Sequence, residues 1–197
     1  MSRKIFDKLA SGVGVVTVVV LLVAGGLLTW GHSFASSNVR TQLAQQQITF
    51  PTKAAFAHAK PGTEITPGMI PYLEKYAGQQ MTTGAQAEAY ANHFIAIHLS
   101  EMPYGGIYSK ISTAAIAQPN NAKLATLKQT SFTGTTLRGL LLEAYAFSMI
   151  ATIMLWGAIA AFALALIMAL LVGLGLWHAS RTSEETQLMA LEEMAIA

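Results

Sequence analysis

The chain has 197 residues, of which 53% are hydrophobic and only 11% charged. An ordinary soluble domain carries about 25% charged residues, so that class is excluded, and a net charge of +2 is too small to make nucleic acid a leading partner. With no cysteine there is no disulfide, thiolate nucleophile, thiolate zinc site or palmitoylation.

Residues 1–8 are basic through Arg3, Lys4 and Lys8, and no further charged side chain occurs until Arg40. The heart of that gap, residues 9–30, is dense in Val, Leu and Gly. A hydrocarbon core of about 30 Å needs about 20 apolar helical residues, so this stretch predicts a first transmembrane helix. A cleavable signal peptide is the rival, with Ser33, Phe34 and Ala35 ahead of Ser36 as a small-residue cleavage pattern. The apolar run outlasts the roughly 7–15 residues of a signal core, which favours an uncleaved anchor. Flanks rich in Lys and Arg stay cytoplasmic, which predicts residues 1–8 inside and Trp30 at the outer interface.

Residues 31–136 are predicted to form an extracytoplasmic α-helical domain, since no sustained alternation of β-branched residues supports strands. A polar stretch over 36–47, whose run from Gln42 to Gln47 reads as a solvated connector, leads to Ile48, Thr49, Phe50 and Pro51, extended ahead of the proline. Lys60 to Pro67 is turn material, and Thr66 can cap a short helix through Tyr76 with Pro67 at its first position. A stronger helix is predicted over 84–101, where Ala87, Tyr90, Ala91, Phe94, Ile97 and His98 recur at helical spacing. Gly105 and Gly106 make a turn, residues 107–117 another helix, and Asn120 caps one through Leu124, Leu127 and Thr130.

Thr135 or Thr136 is the predicted cap of a helix over 137–178. Its forty-odd residues would extend about 60 Å, twice the hydrocarbon core. Trp156 and Trp177 stand 21 residues apart, about 31 Å along a helix, which sets the second span at about 157–176 between two aromatic belts. The preceding part is apolar nearly all round, and Leu137, Leu141, Tyr145, Phe147 and Ile150 need cover from the domain or from a partner. Within the span, Gly157, Ala161, Ala165, Ala169 and Gly173 recur every four residues, the small-xxx-small pattern along which membrane helices pack. Neither span contains Asp, Glu, Lys, Arg or His, which argues against a channel, transporter or proton relay. Residues 179–197 form an acidic cytoplasmic tail, where Thr182 and Glu185 match a capping box and Leu188, Leu191 and Met194 share a face.

No catalytic or metal constellation emerges, and no cofactor is predicted. His93, His98 and Glu101 are the residue set of a non-haem iron triad, but the two histidines are five residues apart, about 140° around a helix. Glycine pairs at 12 and 14 and at 173 and 175 lie in apolar spans after no strand, so they are not nucleotide fingerprints.

The stretches NVRTQLAQQQITFP (38–51), AYANHFIAIHL (89–99), GGIYSKIS (105–112), NNAKLATLKQTSFTG (120–134) and TTLRGLLLEAYAF (135–147) resemble a group of actinobacterial two-span membrane proteins. Some of these carry a name borrowed from the small subunit of an aromatic ring-opening dioxygenase, an activity that would need an iron site this spacing does not favour. The chain is also similar to accessory subunits of actinobacterial respiratory supercomplexes. The reading expected is an all-α, two-pass cell-membrane protein: a transmembrane hairpin, both termini cytoplasmic, that carries a small α-helical extracytoplasmic domain on its extended second helix. Its expected partners are the lipid bilayer and other integral membrane subunits, and its expected role is that of a non-catalytic accessory or scaffolding subunit. The alternatives are an extracytoplasmic sensor or ligand-binding module signalling through the second helix and, more remotely, an iron-dependent dioxygenase.

Overall fold

The computed structural model describes residues 3–181, and among them every regular element is helical. In chain order these are α1 (Arg3–Gln45), α2 (Lys53–Ala57), α3 (Ile70–Leu73), α4 (Gly84–Tyr90), α5 (Ala96–Glu101), α6 (Tyr108–Ala117) and α7 (Ala122–Arg181). Single tight turns flank α3 at Pro67–Met69 and Glu74–Tyr76, and a π-helical turn, Ala91–Ile95, joins α4 to α5. Among the described residues the one β-type pairing is an isolated bridge, Thr49 with Gln80. α1 and α7 are both long and apolar enough to cross a membrane.

Several element limits differ from the sequence expectation. The polar stretch after the first apolar block is not a connector, because α1 continues to Gln45 and ends only where Gln47 takes a positive φ of 53°. Nothing between Trp30 and Gln45 breaks a helix, and Val39 and Leu43, four residues apart, are buried and give this polar segment an apolar face. α7 likewise does not start near Thr136. It is one helix of 60 residues whose first turn is capped by Asn121, with Leu124 N donating to Asn121 Oδ1 at 3.3 Å. Gly134 sits inside it and packs against Leu99, whose Cδ2 would lie 2.9 Å from a Cβ at this position. The short α2, opened by Thr52, was not foreseen. The capping-box reading at Thr182 falls outside the described residues.

The chain divides into two compact units, a terminal unit (Met1–His32 with Ile153–Ala197) and a central unit (Ser33–Thr152). In the central unit the short helices gather around Phe50, Phe56, Met69, Leu73 and Met81, all essentially without exposure, with Val39, Leu43 and Leu141 joining the same cluster. Thr83 caps α4 through a complete capping box with Gln86, as side-chain and backbone groups satisfy each other's first-turn donors. The turn before α6 is held from α7, where the buried Ser131 hydroxyl donates to the Gly106 carbonyl at 2.7 Å.

Candidate functional site

In the terminal unit the α1 and α7 segments pack side by side in opposite directions. Ser11 faces Gly175, Gly14 faces Val172, Gly25 faces Phe162, Leu28 faces Gly157 and Gly31 faces Met154. On α7 the covered positions are Met154, Ala158, Ala161, Ala165, Met168, Val172 and Gly175, steps of alternately three and four residues. On α1 they are Ser11, Gly14, Val18, Leu21, Gly25 and Leu28, with the same alternation. This is a heptad-type seam, which keeps one face against one partner, whereas a strict four-residue stripe drifts about 40° per step.

Of the five stripe residues, Ala161 and Ala165 therefore lie in the seam and Gly157 sits half-buried at its edge against Leu28. Ala169 and Gly173 turn away and are exposed. Gly14 and Gly25 line the opposing face, while an added Cβ at Gly12 or Gly26 would meet nothing. The ideal Cβ of Gly14 lies 3.9 Å from Val172 Cβ, within the disulfide range of about 3.5–4.5 Å. In this cysteine-free chain, Gly14→Cys with Val172→Cys should therefore cross-link on mild oxidation. Adding Ala165→Leu, at a position 2% exposed, should cut that yield several-fold by forcing the helices apart, while Ala169→Leu should leave it unchanged. Equal yields in the two variants would place the close approach elsewhere.

The three tryptophans occupy two levels of this pair. Contacts of Gly31 with Met154 and of Leu28 with Gly157 bracket Trp30 and Trp156, which stand at one level with 66% exposure each. Trp177 follows Gly175 at the level of Leu9, and the Arg181 guanidinium lies 4.4 Å from its ring centroid. Leu9 to Trp30 and Trp156 to Trp177 are each 21 residues, about 31 Å of helix.

In the central unit the apolar part of α7 is half covered. Leu141 is buried and Leu137 and Tyr145 partly so, whereas Phe147 and Ile150, together with Leu140 and Met149, are exposed. A polar cluster, missed from sequence, ties α4 and its π-turn to α7. Asn92 Nδ2 donates to Glu88 Oε1 and Arg138 Nη2 donates to Asn92 Oδ1, both at 2.8 Å. Arg138 Nε is buried without a hydrogen-bond partner. The amide thus bridges a carboxylate and a guanidinium. A buried donor deprived of its acceptor costs about 1–3 kcal/mol, so Asn92→Ala should lower the unfolding free energy by about 2 kcal/mol. Arg138→Met should cost less, because it also removes the orphaned Nε–H; thermal unfolding giving the opposite order would refute this account.

The iron-triad residues are not brought together. His93 stacks on Tyr72, with centroids 3.5 Å apart and planes within 2°, while His98 packs on Phe94 and pairs Nδ1 with the Phe94 carbonyl at 2.8 Å. Glu101 is exposed at the end of α5. Among the described residues no group of three or more His, Asp or Glu side chains is placed to hold a metal ion. The neighbouring Tyr90 lies between Phe50 and Phe94, and burial, followed by the Glu64 carboxylate, raises its phenol above the ordinary value. No family model, curated protein or solved structure matches the chain.

Proposed function

We propose that the chain is a two-pass protein of the cell membrane, with both termini cytoplasmic and the central helices outside, that serves as a non-catalytic accessory or scaffolding subunit of a membrane protein complex. The observation that carries this reading is the exposure of Leu140, Phe147 and Ile150, which lie within about 80° of one another around α7 and precede Trp156 along it. Apolar surface left in water is disfavoured by about 25 cal/mol per Å², which favours cover for these side chains from a partner. Between the tryptophan levels the faces turned away from the seam are also apolar. Only 11% of the most apolar stretch of each helix is buried, which supports lipid as the solvent that suits them. Ala169 and Gly173, exposed on that surface, offer a flat site for a further transmembrane helix. The sequence resemblance adds a respiratory complex to the candidate hosts.

Purification in mild detergent followed by proteomics should return a constant set of integral membrane subunits. Phe147→Glu combined with Ile150→Lys should strip them away while membrane insertion persists. A monomer that copurifies with nothing would overturn the accessory role.

A further inference from the structure

We propose, resting on the membrane reading above, that the α1–α7 seam holds a diacyl phospholipid at its Trp177 end, with one acyl chain in a groove of the seam and the Ser11 hydroxyl donating to an ester carbonyl. Ser11 is only 6% exposed, yet its hydroxyl has no hydrogen-bond partner among the described residues. On the same helix Thr17 and Thr29 donate one turn back, to the Val13 and Gly25 carbonyls at 2.9 and 2.8 Å. Ser11 lies against Gly175 instead, where a Cβ would stand 3.1 Å from its Oγ, and a glycine has no side-chain acceptor to offer. A hydroxyl without an acceptor is costly in hydrocarbon, where water cannot serve it.

The hydroxyl borders a groove of about 210 Å³, lined by Ala10, Ser11 and Gly14 of α1 and by Met168, Leu171 and Gly175 of α7. Met168 to Gly175 is seven residues, about 10 Å of helix, so the groove is a slot that runs with the helices. A further helix, about 10 Å across, is too wide to enter it. Ser11 is the one polar side chain in the lining, so a polar small molecule would find a single hydroxyl and no charge there. A stretch of acyl chain needs only the apolar walls.

Depth along the seam identifies the rest of the occupant. Ser11 is two residues beyond Leu9, which is level with Trp177, and so lies about 3 Å toward the bilayer centre from the aromatic belt, where hydrocarbon meets the ester groups. Ala10 and Leu171 are the exposed members of the lining, which puts the opening of the slot on their flank. Arg181 falls on that flank, within about 80° of Leu171 around α7 and about 9 Å past Gly175. Its guanidinium rests 4.4 Å from the Trp177 ring centroid, at the level of a lipid phosphate. From the bilayer centre outward, a slot, a donor and a cation thus match the chain, ester and phosphate of one phospholipid.

The test uses the full chain. Carbonate extraction of membranes comes first, and a chain released into the supernatant would overturn the membrane reading and this proposal with it. The chain stripped of lipid in maltoside micelles is then titrated with dioleoyl phosphatidylcholine and with its diether analogue, which lacks the carbonyl acceptor, and native mass spectrometry counts the bound lipid. A saturating one-to-one adduct is expected, with the diester held about fivefold more tightly than the diether, about the worth of one hydrogen bond. Ser11→Ala should abolish that difference, and Ala10→Trp, which fills the slot from its exposed rim, should weaken both lipids several-fold. Ile159→Trp, at an exposed position near the other end of the seam, should change neither. Equal affinity of the unaltered chain for the two lipids, adducts that never saturate, or equal losses in Ala10→Trp and Ile159→Trp would overturn the lipid seat while leaving the membrane reading intact.

Discussion

Valine in place of Gly84 is expected to destabilise the central unit by about 3 kcal/mol, the upper part of the range for overpacked cores. Gly84 opens α4 at its closest approach to α7, where an added Cβ would collide with Ser148 Cβ and come within 3.2 Å of Tyr145 Cα. A flexible side chain could swing away from such a contact, but Cα and Cβ atoms of a helix cannot. α4 must therefore lift, and the π-turn that hands Asn92 to Arg138 lifts with it. Hydrogen exchange on the central-unit amides should report a global loss of protection, with Gly84→Ala intermediate. Because the first atom struck is Ser148 Cβ, Ser148→Gly should recover part of the loss in the Gly84→Ala background. Unchanged protection in Gly84→Val would mean that the two helices stand farther apart than described.

Truncating Phe50 to alanine should cost about 4 kcal/mol, within the range for deleting a buried aromatic side chain. The ring is 1% exposed and touches Tyr76 at 5.2 Å and Tyr90 at 5.6 Å between centroids, the second edge-to-face. Each aromatic pair adds about 0.5–1.5 kcal/mol to the loss of buried area. Its backbone is pinned as well, with Phe50 N donating to the Gln79 carbonyl at 2.9 Å beside the Thr49–Gln80 bridge. The side chain cannot shift to share the strain. Phe50→Leu should restore more than half of the loss, since it refills most of the volume without the rings' geometry. Chemical denaturation of the full chain, followed by protease resistance of the central unit, measures both. A loss below about 1 kcal/mol for Phe50→Ala would move the centre of the core elsewhere.

The helical class and the two long apolar helices were legible in the sequence because they depend on local quantities. Long runs of Val, Leu, Ala and Gly free of charge and of prolines favour continuous apolar helices, and their length is read directly from the chain. Helix ends were read less well where the deciding contact is distant. Gly134, Thr135 and Thr136 carry the marks of a boundary, yet the helix runs through them and Gly134 packs against Leu99 of another element. Segment 36–45 reads as a polar linker until Val39 and Leu43 find their cluster.

Sequence alone determined that this chain partitions into apolar helices and a mixed helical remainder, since hydropathy and charge-free length are sums over neighbouring residues. Only the tertiary structure decided which small residues meet. A four-residue repeat in sequence names five candidates, but two antiparallel helices settle on a three-four seam, so Ala161 and Ala165 are covered while Ala169 and Gly173 are left open. The same holds for Arg138, whose partner Asn92 lies 46 residues away and reaches it only through a π-turn that no local pattern announces. Pairings of this kind depend on how separate elements pack, and no residue's own propensity carries that information.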